Sequence, residues 1–280
     1  MTKHSLTLPT GEKIAYWTYH DDKKPTIVMI HGFTGSHEGF QYLVPLLEDF
    51  RLIIPDLPGF GESPLPHTKL TLGGLGELLV DFIDELHLTD KPYLLGHSMG
   101  SLVVAEAARQ HASLFAHKLI LASPVPMPVS LTEKRRVGVA LSRLYYAASH
   151  RLPGVGSKIA TSRKLSWLGT TAIMTTKDKK LQKTIHGHHY KNLDYISDIG
   201  WNRRLHAEIN RTGMTRYKSA LKQFDLLIVN GDNDNVTPLH MQKKVARMTD
   251  AKLTVISGVG HLAHYEKPAE IAGAIADFLR

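Results

Sequence analysis

The chain is 280 residues long, 42% hydrophobic and 21% charged, with 22 Gly and 14 Pro. These proportions are those of a folded globular protein and exclude intrinsic disorder and fibrous repeats. Because the sequence contains no Cys, a disulfide scaffold, a thiolate nucleophile and a Cys-ligated zinc site are excluded as well. We expect a cytoplasmic protein without a transmembrane segment, since no apolar run is long enough to span a bilayer and no export signal follows Met1.

Positive charge is concentrated in the middle of the chain. The whole sequence has 34 Lys and Arg against 26 Asp and Glu, a formal net charge of +8. Residues 125–223 alone contain 19 basic and 5 acidic residues, a net of +14, so the remainder carries 15 basic and 21 acidic residues, a net of −6. This asymmetry marks residues 125–223 as a distinct piece of the molecule.

The flanking parts alternate between strand and helix patterns. Thr10-Gly11 separates two runs that predict an antiparallel hairpin at the edge of a sheet, Ser5–Leu8 and Ile14–Tyr19. Short apolar runs rich in β-branched residues then predict six more strands. These strands are Thr26–Ile30, Arg51–Asp56, Pro92–Leu95, Lys118–Ala122, Asp225–Asn230 and Leu253–Ile256.

Apolar residues at helical spacing lie between these strands. The stripe from Leu75 to Leu86, the Ala- and Val-rich stretch from Ser98 to Gln110, and the C-terminal stretch opened by Pro268 each predict a helix. Strands that alternate with helices predict the α/β class, with a mostly parallel central sheet and helices on both of its faces.

Residues 125–223 interrupt the alternation after the sixth predicted strand. They contain a predicted helix, Val137–Ala148, and predicted loops at Pro153-Gly154 and Gly156. We therefore predict a core formed by residues 1–124 and 224–280, and a helical cap formed by residues 125–223 over one end of the sheet.

Ser98 is the candidate nucleophile. It is the central residue of Gly96-His97-Ser98-Met99-Gly100, a G-x-S-x-G pentapeptide between a predicted strand and a predicted helix. Glycines at both ends permit the tight turn that lifts a serine hydroxyl above the end of a sheet. The pentapeptide alone is a weak signal, because Ser98 could simply cap the helix. Its position between strand and helix favours the nucleophile.

A serine nucleophile needs a base, which is itself oriented by a third group. Of the 17 histidines, His261 follows the last predicted strand at the same sheet end as Ser98, so we predict that it is the base. The side chain of His97 should point away from its neighbour Ser98. His264, one turn beyond His261, is interpreted as a surface or packing residue.

Two carboxylates compete for the role of the acid. Asp232 and Asp234 both follow the predicted strand Asp225–Asn230. The carboxyl ends of parallel strands share one edge of the sheet, so either side chain could reach His261. The loop residues alone leave both candidates open.

The order of these residues resembles that of the α/β-hydrolase fold family, in particular its lidded members with a Ser-Asp-His triad. The likeness covers nearly the whole chain outside the predicted cap. The family's order of nucleophile, acid and base is also the order of Ser98, the aspartate pair and His261. The family's Gly-x-x-Asp with a following Pro matches residues 231–238, which implies that Asp234 is the acid and Asp232 the alternative.

Four further segments carry the resemblance. They are His31–Ser36, Asp56–Ser63, Gly258–His261 and Glu266–Pro268. The first matches the loop that builds the family's oxyanion hole, which implies that the backbone N–H groups of Phe33 and Met99 bind the oxyanion. The second is interpreted as a structural turn that Asp56 stabilises.

Departures from subfamily patterns narrow the chemistry that the resemblance implies. Ser98 stands where dehalogenases and most epoxide hydrolases have Asp, Met99 where proline iminopeptidases usually have Trp, and Leu262 where ring-cleavage carbon–carbon hydrolases commonly have Trp. The expected activity is hydrolysis of a small-molecule carboxylic ester through an acyl-enzyme. The alternatives are a carbon–carbon bond hydrolase or lyase on the same fold, and a non-catalytic small-molecule receptor that retains the triad.

We expect neither a cofactor nor a metal site. His186-Gly187-His188-His189 places imidazoles close together, but no carboxylate lies near them before Asp194, and the stretch is expected to be exposed and away from the triad. The basic runs Lys134-Arg135-Arg136 and Lys177–Lys183 match no nucleic-acid module, so no nucleic-acid partner is expected. If the cap covers the strand ends, its charge should favour anionic substrates near Ser98. The sequence predicts no particular oligomeric state.

Overall fold

The computed structural model describes residues 1–67, 71–129, 156–196 and 198–280. At its centre lies an eight-stranded sheet with the strand order β1-β2-β4-β3-β5-β6-β7-β8. The strands are β1 (Thr2–Thr7), β2 (Lys13–Tyr19), β3 (Thr26–Ile30), β4 (Arg51–Pro55), β5 (Tyr93–His97), β6 (Lys118–Ala122), β7 (Asp225–Gly231) and β8 (Lys252–Ile256). β2 runs antiparallel to both β1 and β4, and all other neighbours are parallel. The prediction of a mostly parallel α/β sheet with an edge hairpin is confirmed.

Helices pack on this sheet and in the segment between β6 and β7. The described helices are α1 (Leu72–Glu85), α2 (Met99–His111), α3 (Gly156–Ala160), α4 (Arg163–Ile173), α5 (Lys179–Asp194), α6 (Ile199–Arg211), α7 (Lys218–Leu221), α8 (Leu239–Thr249), α9 (Ala263–Glu266) and α10 (Pro268–Leu279). Short 3₁₀ turns lie at His37–Phe40, Val44–Leu46, Ala112–Leu114 and Met214–Tyr217. None of the described helices is both long and apolar enough to cross a lipid bilayer.

Two apolar layers form the core, one on each face of the sheet. In β3, Val28 and Ile30 belong to the layer that α1 and α2 cover, whereas Ile27 and Met29 belong to the layer that α10 covers. This division follows from the two-residue period of a strand. Each fully buried aliphatic side chain contributes about 1.5–3 kcal/mol through the hydrophobic effect, so both layers stabilise the sheet that carries the site.

The segment between β6 and β7 is mostly helical over the described residues 156–196 and 198–221. Val137–Ala148 and Pro153-Gly154 lie outside the described residues. Gly156, predicted to lie in a loop, instead lies in the helix α3. The ends of the segment lie side by side, since the N–H of Met214 donates to the carbonyl of Val125 at 2.9 Å. The boundaries of the cap remain a prediction.

Candidate active site

Ser98 lies on a sharp turn between β5 and α2. Its φ of 52° and ψ of −117° are strained for a residue with a side chain. The turn is held by the N–H of Ser98, which donates to the carbonyl of Ala122 at 2.9 Å. Two glycines let the backbone close, since a Cβ at Gly96 would lie 2.5 Å from the carbonyl oxygen of Gly100, and one at Gly100 would overlap the carbonyl oxygen of Ile30. The turn places Ser98 at the end of the sheet.

Ser98, His261 and Asp234 form a continuous hydrogen-bonded chain. Nε2 of His261 lies 3.0 Å from Oγ of Ser98, and its Nδ1 lies 2.9 Å from Oδ2 of Asp234. Since an ionised carboxylate only accepts hydrogen bonds, Nδ1 carries the imidazole proton and Nε2 can accept the hydroxyl proton of Ser98. His261 and Asp234 are buried and Ser98 is half-buried, so the hydroxyl is the accessible end of this chain.

Asp234 is held as a carboxylate by several donors. Its Oδ1 accepts the N–H groups of Val236 and Thr237 at 2.8 and 2.7 Å, and its Oδ2 accepts the hydroxyl of Thr237 at 2.6 Å. Burial opposes ionisation, but attraction to His261 and the hydrogen bonds from His261 and Thr237 outweigh it and hold the pKa of Asp234 well below its usual range. The group therefore stays ionised at neutral pH and can orient the imidazole.

Asp232 takes no part in this chain. Its side chain is exposed and bonds to the turn after β8. There it accepts the N–H of Gly258 at 2.7 Å and the hydroxyl of Ser257 at 3.3 Å. The structure thus brings Asp234, and not the alternative Asp232, to His261.

The backbone of Phe33 and Met99 approaches Ser98 from two elements. Phe33 follows Gly32, which runs so close to the nucleophile turn that a Cβ at Gly32 would lie 3.2 Å from Cβ of Ser98. Nδ1 of His31 lies 2.8 Å from the carbonyl oxygen of Gly32 and fixes this loop. Met99 is the first residue of α2, where N–H groups have no helical acceptor and the helix dipole is positive. The residues predicted to supply the oxyanion-binding N–H groups thus lie beside Ser98, and that role stays a prediction.

Asp56 stabilises the segment that follows β3 and contains Phe33. Its buried carboxylate accepts the backbone N–H groups of His37 at 2.6 Å and of Glu62 at 2.8 Å. The carboxylate packs directly against Gly61, where a Cβ would overlap it. These bonds join the segment after β4 to the segment after β3, as expected for a structural turn.

A cavity of about 120 Å³ opens over Ser98 and His261. Besides these two residues, its walls include Phe40, Ile173, His189, Asn192, Leu262 and Tyr265. Ile173 belongs to α4, and His189 and Asn192 belong to α5, so two helices of the segment between β6 and β7 contribute to the wall over Ser98. The cavity is smaller than the roughly 300–1,000 Å³ of common ligand pockets, which favours a short group beside Ser98.

Two further histidines pack beneath the base. The ring centroid of His97 lies 5.1 Å from that of His261 and 4.2 Å from that of His264. Nε2 of His97 lies 3.3 Å from the backbone carbonyl oxygen of His261. His97 therefore bonds to the backbone of the base instead of reaching Ser98. His264 is a buried packing residue, one of the two interpretations that its position allowed.

The expectation that the His186–His189 stretch is exposed and away from the triad is wrong for His189. Its side chain lines the cavity, with Nδ1 2.6 Å from Oγ1 of Thr170. Nδ1 of His188 lies 3.1 Å from the hydroxyl of Tyr265. These contacts place one face of α5 against α4 and α9. The basic, histidine-rich sequence of α5 does not predict this packing. Among the described residues, no group of three His, Asp or Glu side chains is arranged to hold a metal ion.

Burial lowers the pKa of three imidazoles in the cavity wall, those of His97, His189 and His264. It lowers the pKa of His97 to about 3 and the pKa of His189 to about 4, with a smaller contribution from neighbouring imidazoles in each case. It also lowers the pKa of His264 well below its usual range. Among the described residues, no Lys, Arg, Asp or Glu lines the cavity. Apart from the base His261, the described wall is therefore polar and carries no charged side chain at neutral pH.

Residues 25–268 match the family model described as the alpha/beta hydrolase fold. The chain belongs to the α/β-hydrolase fold family. This α/β-hydrolase is 27% identical over 286 residues to the uncharacterized hydrolase YugF of Bacillus subtilis, covering 96% of this chain and 95% of YugF. It is 36% identical over 111 residues to lipase 1 of Psychrobacter immobilis, covering 38% of this chain and 34% of the lipase. Its fold is similar to that of the esterase EaEST from Exiguobacterium antarcticum, with a TM-score of 0.79, 19% identity and 99% of both chains covered.

The structure brings together the three residues that the sequence predicts as a triad, but the sequence analysis missed the part of the cavity wall that comes from the segment between β6 and β7. Ser98, Asp234 and His261 follow strands, whose patterns are strong. His189 and Asn192 were missed because no strand marks them. Their three-residue spacing on a helix that also carries buried Ile185 is the one signal that indicates a shared face.

Proposed function

We propose that this α/β-hydrolase cleaves a small-molecule carboxylic ester by a Ser-His-Asp acyl-enzyme mechanism. The observation that carries the proposal is the hydrogen-bonded chain from Ser98 through His261 to Asp234 at the floor of a cavity. A strained serine bonded to a base, with the base bonded to a buried carboxylate, is the arrangement that activates a hydroxyl for attack on a carbonyl.

The first half of the reaction acylates Ser98. Its Oγ attacks the ester carbonyl carbon while Nε2 of His261 takes the hydroxyl proton, and Asp234 stabilises the resulting imidazolium. The carbonyl oxygen becomes an oxyanion that accepts hydrogen bonds from the N–H groups of Phe33 and Met99. The intermediate collapses when the C–O bond to the alcohol breaks, and His261 gives its proton to the departing alcohol.

The second half returns the free serine. A water molecule gives a proton to His261 as its oxygen attacks the acyl carbon. The second tetrahedral intermediate releases the carboxylic acid, and the proton on His261 returns to Oγ of Ser98. The overall change consumes one ester and one water and yields one acid and one alcohol, with no external cofactor.

Ester hydrolysis is supported over the other chemistries of this fold. Lipases and esterases are among the proteins that the chain resembles in sequence, including lipase 3 of Moraxella sp., 35% identical over 107 residues. Leu262 follows His261 where carbon–carbon hydrolases commonly have Trp. A receptor that retains the triad would share the geometry but would not turn over substrate, so turnover separates these functions.

The test is hydrolysis of p-nitrophenyl esters of graded acyl length by the wild type and by Ser98→Ala. Ser98→Ala should lower kcat by about 10⁴-fold or more. Short acyl chains should be preferred over long ones because the cavity is small. Ser113→Ala, at an exposed serine far from the cavity, serves as the matched control and should keep wild-type rates. Substantial hydrolysis by Ser98→Ala, or none by the wild type, would contradict the proposal.

A further inference from the structure

We propose that Thr175 is a positioning residue for His261, assisted by a bond from Asn235 beside the acid, so that the segment between β6 and β7 sets the rate of the chemical step without touching the substrate. The inference rests on the proposed ester hydrolysis and adds a positioning residue to it. Thr175 lies in the connection between α4 and α5. It is not among the described residues that line the cavity over Ser98.

The hydroxyl of Thr175 bonds to both ends of the segment that carries His261. It accepts the N–H of Gly260, the residue before His261, at 3.1 Å. It also donates to Oε2 of Glu266, the last residue of α9, while Oε1 of Glu266 accepts the backbone N–H of Thr175 at 2.9 Å. Because a hydroxyl can accept and donate at the same time, one side chain connects the two ends of the base segment, residues 260–266.

The backbone of Gly260 packs against the same connection. A Cβ at Gly260 would lie 3.1 Å from the carbonyl oxygen of Ile173 and 3.2 Å from Cγ2 of Thr175. Both distances are shorter than ordinary van der Waals contacts between carbon and its neighbours, so only glycine lets the two backbones approach this closely. The residue before His261 is therefore held by packing as well as by a hydrogen bond.

The same stretch also bonds to the loop that carries Asp234. Nδ2 of Asn235, the residue after Asp234, donates to the carbonyl of Ala172 at 2.8 Å. Ala172 belongs to the last turn of α4. Residues 172–175 therefore contact the immediate neighbours of both the base and the acid, although the two loops that carry them follow different strands.

These contacts act on the rate through geometry. They hold the loops on which two distances depend, 2.9 Å from His261 to Asp234 and 3.0 Å from His261 to Ser98. A displacement of about 1 Å at the reacting groups can cost about 100-fold in rate even when the substituted residue is remote. Without the hydroxyl of Thr175, both ends of the base segment lose a bond that fixes them. Substrate binding should change much less, since Thr175 does not line the described cavity.

The first test compares Thr175→Val, which keeps the shape of the side chain but removes the hydroxyl, with Thr175→Ser, which keeps the hydroxyl. With p-nitrophenyl acetate, Thr175→Val should lower kcat by about 10- to 100-fold. KM should stay within about threefold of the wild type, because His261 serves both halves of the reaction. Thr175→Ser should recover most of kcat. Thr171→Val, at an exposed threonine of α4 outside the cavity, is the matched control and should keep wild-type values.

A wild-type kcat in Thr175→Val, or a loss confined to KM, would overturn the proposal. Circular dichroism and Tm establish that each variant is folded at the assay temperature. Asn235→Ala decides the question if Thr175→Val does not fold, since the side chain of Asn235 is exposed and its loss should be tolerated. It removes the bond to Ala172 and should lower kcat by about threefold or more without a matching change in KM. A wild-type kcat in Asn235→Ala would then overturn the proposal.

A second measurement determines whether Thr175 acts through His261. In Asp234→Asn the base is already disabled, so adding Thr175→Val should lower kcat by no more than about threefold further. Residues that act as one unit show such non-additive losses. A loss of the same size in the wild-type and Asp234→Asn backgrounds would show that Thr175 acts independently of the base, and would overturn the positioning role.

Proton NMR separates this inference from the proposed function. The proton on Nδ1 of His261, bonded to the Asp234 carboxylate, should give a low-field resonance that Asp234→Asn removes. The resonance should broaden or move upfield in Thr175→Val and stay in place in Thr175→Ser and Thr171→Val. An unchanged resonance in Thr175→Val would overturn the positioning role and leave ester hydrolysis in place. Hydrolysis that survives in Ser98→Ala would overturn the proposed function, while the resonance would still test the position of His261.

Discussion

Asn substitutions at Asp234 and Asp232 distinguish the two candidate acids. In Asp234→Asn, the remaining carbonyl oxygen can keep the two backbone N–H donors at Oδ1. The new NH₂ group then faces Nδ1 of His261 and the hydroxyl of Thr237, two positions where the carboxylate accepts. Because an NH₂ group only donates, Nδ1 must become an acceptor and the imidazole proton moves to Nε2. The imidazole then can no longer take the proton of Ser98.

The expected magnitude follows from the loss of the base. An imidazole held in the wrong tautomer costs a serine hydrolase about 10⁴-fold in kcat, equivalent to roughly 5.4 kcal/mol of barrier. Asp232→Asn keeps an acceptor oxygen for the N–H of Gly258 and changes an exposed side chain. Surface substitutions of this kind shift stability by about 0.5 kcal/mol or less, so kcat should stay within about threefold of the wild type.

The assay is the steady-state rate at saturating p-nitrophenyl acetate, corrected for spontaneous hydrolysis. Circular dichroism and the Tm of each variant establish that both remain folded. Losses of similar size in the two variants would refute the assignment of Asp234, and a larger loss in Asp232→Asn would transfer the role to Asp232.

Gly100→Ala should lower Tm and the yield of folded protein, because a Cβ at Gly100 overlaps the carbonyl oxygen of Ile30. Gly187→Ala is the control and should not lower Tm, since a Cβ at Gly187 has open space around it. Equal Tm values for the two variants would contradict this prediction. Urea unfolding should show stability lost as pH falls below about 6.5, by about 1.4 kcal/mol per pH unit for each buried neutral histidine. His97 has a native pKa of about 3, so the unfolded chain binds the proton first, and His97→Gln should flatten the slope; an unchanged slope would count against it. Ethyl hydrogen succinate should have a lower kcat/KM than ethyl butyrate at every salt concentration, and the reverse order would show that a cation reaches the bound ester.

The sheet could be predicted closely because its central strands are buried on both faces. Such strands are continuous apolar runs, and two of them, Thr26–Ile30 and Lys118–Ala122, have the predicted bounds. The nucleophile and the base could be placed for the same reason, since each follows a strand. Local patterns suffice where a residue's position is tied to a regular element.

The choice between the two aspartates needed more than local pattern. Both lie in one irregular loop after β7. The turn after β8 bonds to Asp232, and the packing of Gly231 against the backbone of Val259 and Gly260 directs the loop toward His261. These contacts join segments far apart in sequence, so they cannot be predicted from the loop itself. From the sequence alone, only the resemblance to the α/β-hydrolase fold family favoured Asp234 over Asp232.

The cavity wall could not be predicted because it depends on how α5 is rotated over the sheet. That rotation is set by contacts between distant residues, such as Thr170 with His189 and His188 with Tyr265. A basic, histidine-rich helix is usually a solvated surface helix. Here His189 and His188 contact α4 and α9, burial lowers the pKa of both, and His189 lines the cavity.

The basic residues outside the cavity favour the approach of an anionic ester, whereas a cavity wall whose described residues include no Lys or Arg disfavours its binding. The sizes of these two effects decide whether an anionic ester is preferred. The basic residues of 125–223 attract anions through solvent, where such fields raise association rates by roughly 10–10³ at low salt and are screened over about 8 Å at physiological ionic strength. Moving a carboxylate into an uncharged cavity costs several kcal/mol even after relaxation, and about 4 kcal/mol already equals 10³-fold. Because the described wall supplies no cation, the loss on binding matches or exceeds the largest gain on approach, and salt removes only the gain. We therefore expect the basic residues of 125–223 to raise the rate at which anions arrive, and the cavity beside Ser98 to disfavour a carboxylate once the ester is bound.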